Sequence, residues 1–434
     1  MNAERFALII LDGLGDLPHP STGGRSPVDS ATTPNLDRVA TTGALGDILV
    51  IGKGTAPESD AGVFALLGYD PVHDSPGRGV LEAEGIGIAL APGDVAFRLN
   101  FATTDGAGMV RDARVGRSLT THESEELARA LTDASLVGDL EIDAEVRATV
   151  GHRGVLVFRP RGGIALSPNV TNADPFYERV GGMGRARTPT EPRIPRVTAM
   201  DADGAAARTA EALNRFLERA GVLLAAHPVN ARRALSGKQV ANGLLVRNAG
   251  SLPAHPPVAW PTRWGMAGAA VTEMPVERGI AKFIGLADRY VGPMGADRDL
   301  GYRERATATL QALAEFPFVY VHLKGPDEPG HDGDALKKRE IVEAIDRSFF
   351  APFLAGVDPS RVRVAVTADH STPCILKGHS DDPVPLLLAG ADVPPRAGPP
   401  LHFGESAAAV GSLGHRMGSG LMPLLLGRSP ADGR

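Results

Sequence analysis

The 434-residue chain carries 45 Lys and Arg against 51 Asp and Glu, a net charge of −6, and is 43% hydrophobic. That is enough apolar material for a large buried core and, at ~150 residues per domain, for two or three domains, so a disordered chain is excluded. With no long single-sign charge block and only 5% aromatic residues, no nucleic-acid partner is expected. The one cysteine, Cys374, excludes an internal disulfide and a Cys-based zinc cluster, which fits a cytoplasmic protein.

In chain order, Phe6 to Leu11 is a continuous apolar run, the pattern of a parallel-sheet strand buried on both faces. It is too short for a signal segment or a membrane span, so no membrane partner is expected. Thr33-Pro34 reads as a helix cap followed by proline at the first helical position. Pro57 then stops the chain before Ser59, which is placed at the N-terminus of a helix running into Ala61-Gly-Val-Phe-Ala-Leu-Leu.

The character changes near Gly93. Phe97 to Thr103 and Gly154 to Arg159 read as strands, and Ser124 to Leu131 and Ala205 to Ala225 as helices; the Pro-punctuated, basic Arg185 to Arg196 reads as a loop. Further on, Phe318 to Leu323 and Arg361 to Thr367 are again apolar strands, separated by helical periodicity from Ala335 to Phe350. The expectation is an α/β protein: a doubly wound core sheet built from 1–92 and 226–434, with a smaller α+β cap domain inserted at 93–225. The 52 glycines and 35 prolines, about a fifth of the chain against an average of ~12%, imply many shaped loops.

Acidic and imidazole side chains follow three of the core strands: Asp12 after the first, Asp327 and His331 after the second, Asp369 and His370 after the third, with His379 nine residues on. Ligands in open parallel sheets bind beyond the carboxyl ends of the strands, so these groups are expected to meet in one crevice. Singly, each has a plainer explanation as a turn former, a cap or a loop hydrogen-bonder. Together they suit Mn²⁺, Zn²⁺ or Mg²⁺, and with Ser59 they are too many for one tetrahedral ion. Two ions ~4 Å apart can clamp the oxygens of an in-line phosphoryl displacement, and Ser59 is the candidate nucleophile, although on composition alone a serine at a helix start is more often only an N-cap.

The motifs Asp12-Gly-Leu-Gly-Asp, Gly54-Thr-Ala-Pro-Glu-Ser-Asp, Pro76-Gly-Arg-Gly-Val-Leu-Glu-Ala, Lys324-Gly-Pro-Asp-Glu-Pro-Gly-His-Asp-Gly-Asp and Thr367-Ala-Asp-His-Ser-Thr-Pro-Cys resemble, in order and over nearly the whole chain, the archaeal-type cofactor-independent phosphoglycerate mutase family. The resemblance implies an alkaline-phosphatase-like fold and two divalent metal ions, one on Asp12, Ser59, Asp369 and His370, the other on Asp327, His331 and His379. It implies interconversion of 3-phosphoglycerate and 2-phosphoglycerate through a phosphorylated Ser59, independent of 2,3-bisphosphoglycerate.

A mutase must keep glycerate bound while the phosphoryl group waits, which calls for a cationic lid. The inserted domain offers Arg98, and Asp112-Ala-Arg-Val-Gly-Arg117 and Gly151-His-Arg153 resemble the family's cap motifs. Asp112, Arg114, Arg117, His152 and Arg153 are therefore expected to bind a small phosphorylated carboxylic acid. Asp174-Pro-Phe176 departs from the family's Asp-Pro-His; Ala-Gly-Val follows Ser59-Asp60 where relatives lead to a histidine; and the Trp264 segment lacks a lysine of some relatives. Those departures leave a phosphatase, or a phosphomutase of another small phosphorylated or phosphonylated metabolite, as the alternative. A kinase is disfavoured by the missing Gly-x-x-x-x-Gly-Lys-Ser/Thr loop, and a binding protein without catalysis has no need of an activated serine.

Overall fold

A computed structural model describes residues 3–180, 183–394 and 401–428. The chain divides into two compact units, 1–75 with 257–434, and 76–256. In the first, eight strands form one sheet in the order Ala287–Tyr290, Gly268–Thr272, Phe318–Leu323, Arg5–Leu11, Val362–Thr367, Val384–Gly390, Ala44–Leu49 and Gly414–Met417. Val384–Gly390 runs antiparallel to both its neighbours, and the remaining pairs are parallel. The three central strands are buried on both faces, from Ala7, Leu8, Ile9 and Ile10 to Val319, Val321 and Leu323, which is why they read as unbroken apolar runs.

Thr33 stands at the N-cap position of helix Pro34–Thr42 but makes no side-chain cap bond. The capping is done by Asp346, whose carboxylate accepts from Leu36 N at 2.8 Å and Asn35 N at 3.2 Å. Thr33 instead donates to Asp37 at 3.0 Å. A distant acid has replaced the local hydroxyl.

The second unit is an antiparallel sheet in the order Val110–Asp112, Val95–Thr104, Arg153–Pro160 and Ile142–Ala148, with Gly243–Gly250 also paired to Val95–Thr104. Alternation along Val95–Thr104 sorts its two faces. Phe97, Leu99 and Phe101 join a large core with Leu127, Leu131, Leu213 and Phe216, while Ala96 packs with Val80, Ala83, Val155 and Val157. Helix Arg78–Gly85 reaches that second face because Gly79 admits the strand: a Cβ there would lie 2.2 Å from Ala96 O. The unit is therefore longer at both ends than the 93–225 expected. Helix Arg78–Gly85 packs on its sheet and strand Gly243–Gly250 pairs within it, although the sequence reading assigned both to the core. The stretch from Arg185 to Arg196 contains no helix; Arg185 lies in strand Met183–Ala186, and Ile194 N donates to Gly108 O at 3.1 Å.

Candidate active site

Asp12 follows strand Arg5–Leu11, and Asp369 and His370 follow the hydrogen-bonded neighbour Val362–Thr367, so all three emerge at one sheet edge. Ser59 is the first residue of helix Ser59–Leu66, whose N-cap, Glu58, makes no side-chain cap bond. Its Oγ lies 3.5 Å from Asp12 Oδ1 and 3.3 Å from His370 Nε2. Gly62 lets that helix sit directly on the Asp369 backbone, since a Cβ would stand 2.2 Å from Asp369 O. Asp327 and His331 lie one turn apart on helix Asp327–Asp332, which follows the strand on the other side of Arg5–Leu11. His379 joins them, with Nε2 3.4 Å from Asp327 Oδ1. The His370 and His379 rings stack at 3.8 Å, so the two clusters adjoin. All seven core residues singled out in the sequence are thus brought together.

His379 Nδ1 is 2.7 Å from Pro57 O, a pure acceptor, so Nδ1 carries the proton. His370 Nδ1 is 3.0 Å from Thr372 Oγ1, whose single proton goes to Asp327 Oδ1 at 2.7 Å. Burial, then His379, hold His370 well below its usual pKa, so it too is a neutral Nδ1–H imidazole. The lone pair of His370 Nε2 then faces Asp12 Oδ1 at 3.6 Å and Asp369 Oδ2 at 3.5 Å. Acceptors face acceptors, and Asp369 Oδ2 is buried without a hydrogen-bond partner. Burial and the Asp12 carboxylate push Asp369 up to about 7. Asp12, Asp369 and His370 have ligand atoms within 4.8 Å of one another, as do Asp327, His331 and His379. Two adjoining oxygen–imidazole sets whose second ring nitrogens donate elsewhere fit divalent cations.

Lys324, His322, Tyr320 and Glu277 complete the surroundings, and the sequence did not single them out as site residues. Lys324 Nζ lies 2.6 Å from Glu277 Oε1 and 3.2 Å from Asp12 Oδ2. Burial would raise Asp12, but Lys324 and His322 outweigh it and hold Asp12 well below the carboxylate range. His322 Nδ1 is 2.7 Å from Tyr320 Oη, and its Nε2 lies 3.6 to 3.8 Å from Asp12, Asp369 and Glu277. Burial and Lys324 oppose a charge on His322, yet these three carboxylates raise its pKa. A histidine inside an otherwise apolar strand was the available signal; Glu277, on an amphipathic helix, left none.

In the second unit, Asp112 ends a short strand and accepts from Arg114 N at 2.8 Å. Val115, Gly116 and Arg117 follow with φ of 52°, 58° and 52°, three consecutive left-handed residues, one of them β-branched. Such strain persists only where the surroundings enforce it and is common in ligand-holding turns. His152 is pushed down to about 3 by burial and then by Arg153, Arg114, Arg98 and Arg117, so these cations surround one neutral imidazole. Arg98 Nη1 donates to buried Glu82 at 3.1 Å, and Arg78 Nε donates to the same oxygen at 2.9 Å. Arg247, which no sequence signal singled out, lies 3.2 Å over the Tyr177 ring centroid. Cys374 is buried, and its thiol is pushed up to about 12 by burial and Asp16, a packed residue rather than a reactive one.

Fold and site define an α/β protein with two adjoining carboxylate–imidazole clusters and a serine hydroxyl against one of them. Residues 40–230 match the family model described as 2,3-bisphosphoglycerate-independent phosphoglycerate mutase. Curated proteins of that name from Aeropyrum pernix and Methanopyrus kandleri are 44% and 39% identical, covering 95% and 97% of this chain and 96% of each relative. A solved Pyrococcus horikoshii structure superposes with a TM-score of 0.78 at 30% identity over 99% of both chains. The cofactor-independent phosphoglycerate mutase of Thermoplasma acidophilum gives 0.60 at 31% identity, covering 98% of this chain and 99% of that one. The chain belongs to the 2,3-bisphosphoglycerate-independent phosphoglycerate mutase family. Among the described residues no helix is long and apolar enough to cross a membrane.

Proposed function

We propose that this enzyme interconverts 3-phosphoglycerate and 2-phosphoglycerate, without 2,3-bisphosphoglycerate, through a phosphoserine at Ser59. The observation that carries the reading is the Ser59 hydroxyl at a helix N-terminus, 3.3 Å from His370 Nε2 and 3.5 Å from Asp12 Oδ1. Asp12, Ser59, Asp369 and His370 hold one divalent ion and Asp327, His331 and His379 a second, of Mn²⁺, Zn²⁺ or Mg²⁺ type. When bound, such ions supply Lewis acidity that eases loss of the serine proton and offsets charge on the phosphoryl oxygens.

Ser59 Oγ bonds to phosphorus as the ester bond to the C3 oxygen breaks; the serine proton ends on the released glycerate hydroxyl. The C2 hydroxyl oxygen then takes the phosphoryl group, giving up its proton and restoring the Ser59 hydroxyl. Lys324 and the first N–H groups of helix Ser59–Leu66 balance phosphoryl charge. Arg114, Arg117 and Arg153 hold the anionic groups of the substrate, Asp112 fixes the Arg114 turn, and neutral His152 hydrogen-bonds the glycerate.

Phosphorus NMR of the metal-supplied protein with 3-phosphoglycerate tests the reading. A 2-phosphoglycerate signal growing without free phosphate is expected. Inorganic phosphate as sole product, or no turnover with any of the three metals, overturns it.

A further inference from the structure

Thr372 has no part in the steps above, yet one hydroxyl of this fully buried residue touches both metal-ligand clusters. We propose, building on the two-ion reading, that Thr372 is a positioning residue that locks the two ligand sets to each other. A hydroxyl has one proton. At 2.7 Å from Asp327 Oδ1, an oxygen that only accepts, Thr372 Oγ1 must be the donor. Its lone pair then receives the Nδ1 proton of His370 at 3.0 Å. The relay runs His370 Nδ1–H to Thr372 O–H to Asp327, from one cluster into the other. It fixes the tautomer that turns the His370 Nε2 lone pair toward Asp12 and Asp369, and it orients the Asp327 carboxylate that His331 and His379 share.

The backbone that carries the hydroxyl is held from three sides. Thr372 N donates to Gly15 O at 2.9 Å. Lys338 Nζ, itself fully buried, donates to Thr372 O at 3.0 Å and Gly15 O at 3.1 Å and pairs with Asp16 at 2.9 Å, which uses its three protons. Gly330 brings helix Asp327–Asp332 against the same carbonyl, where a Cβ would lie 2.4 Å from Thr372 O. The loop after Asp12, the loop after His370 and the helix of Asp327 therefore meet at this residue, whose N–H and carbonyl are both tied down.

Thr372→Val keeps the shape and removes the hydroxyl; Thr372→Ser keeps the hydroxyl and removes the methyl. Two readouts on the full chain separate them: Mn²⁺ titration by calorimetry, and ¹⁵N chemical shifts of histidine-labelled, metal-free protein. Wild type and Thr372→Ser are expected to show His370 as one Nδ1–H tautomer and to bind Mn²⁺ alike. In Thr372→Val the tautomer is no longer fixed, and Mn²⁺ affinity falls at both clusters by about 10- to 100-fold. Unchanged affinity in the valine variant, loss at one cluster only, or an equal loss in the serine variant overturns the proposal. If wild type takes up no Mn²⁺, the two-ion reading fails, and the ¹⁵N comparison still decides the role of Thr372. Should the valine variant not fold, Thr372→Ala serves in its place.

Discussion

Glu277 Oε1 lies 2.6 Å from Lys324 Nζ, and that ammonium reaches Asp12 Oδ2 3.2 Å away on its other side. Glu277 is wholly buried, so Lys324 is its charge partner as well as the cation nearest the Asp12 carboxylate. Lys324→Met leaves a buried carboxylate uncompensated, which costs about 3–5 kcal/mol. Urea unfolding should show that loss together with collapse of turnover. Adding Glu277→Leu is expected to recover much of the stability and none of the activity. Restored turnover in the double variant contradicts a role for Lys324 beside the phosphoryl group.

Ser59→Ala should cut turnover by more than about 10³-fold, the scale seen when an activated nucleophile is removed. Its stability should shift little, because the hydroxyl's hydrogen bonds run to Asp12 and His370 rather than to the helix backbone. Mass spectrometry of acid-quenched wild type should find phosphate on the peptide carrying Ser59, absent from the variant.

Two glycine-to-alanine changes should move in opposite directions. At Gly62 the new methyl meets Asp369 O, and overpacking of this kind costs about 1–3 kcal/mol and displaces the Asp369 loop, lowering metal affinity. Gly221, inside helix Gly204–Ala225, has no atom within 4 Å of an added Cβ, and alanine there should stabilise by about 0.5–1 kcal/mol. Thermal melts with and without Mn²⁺ distinguish the two.

Glu405 gives a pH signature away from the metal ligands. Its carboxylate accepts from Asp16 N and Ser26 Oγ, and burial pushes its pKa from 4.5 up to about 7. An acid raised in the folded state binds its proton more tightly there than in the unfolded chain. Its contribution to stability is therefore fullest below pH 4.5 and is lost as pH rises toward 7. In Glu405→Gln that loss should vanish, so the wild-type-minus-variant stability should fall between those limits in matched buffers. A flat difference shows that Glu405 ionises at its ordinary pKa.

Chelation should lower the melting temperature reversibly. A ligand at 100 times its Kd contributes about 2.7 kcal/mol to the folded state, and refilling with Mn²⁺ should restore it. Alanine at both Asp12 and Asp369 should abolish one of the two binding events in calorimetry while leaving the Asp327 cluster able to bind.

Asp12, Ser59, Asp327, Asp369 and His370 were legible because each is a polar side chain just past an apolar run or at a helix start, and chain direction brings such points to one edge of a parallel sheet, whereas His331 and His379 stood out by lying a few residues beyond them. Lys324 lay within a recognised motif, but nothing local tells a buried lysine from a solvated one. Glu277 and Arg247 become polar partners only through packing that the one-dimensional pattern does not encode. Strand Gly243–Gly250 has the apolar character of the core strands, and its pairing with Val95–Thr104 is nonlocal, so the division of the chain was placed too far inward at both ends. Thr33 shows the same effect on a small scale: local sequence nominated a cap, and an aspartate more than 300 residues away took the position.

Gly77 and Gly250, near the first and last residues of the second unit, stand so close that a Cβ on Gly77 would lie 2.9 Å from Gly250 Cα. A segment whose two ends touch can be spliced into a surface turn of a host with little loop-closure entropy. The 76–256 stretch thus has the form of a cassette, a segment of chain that begins and ends at one place.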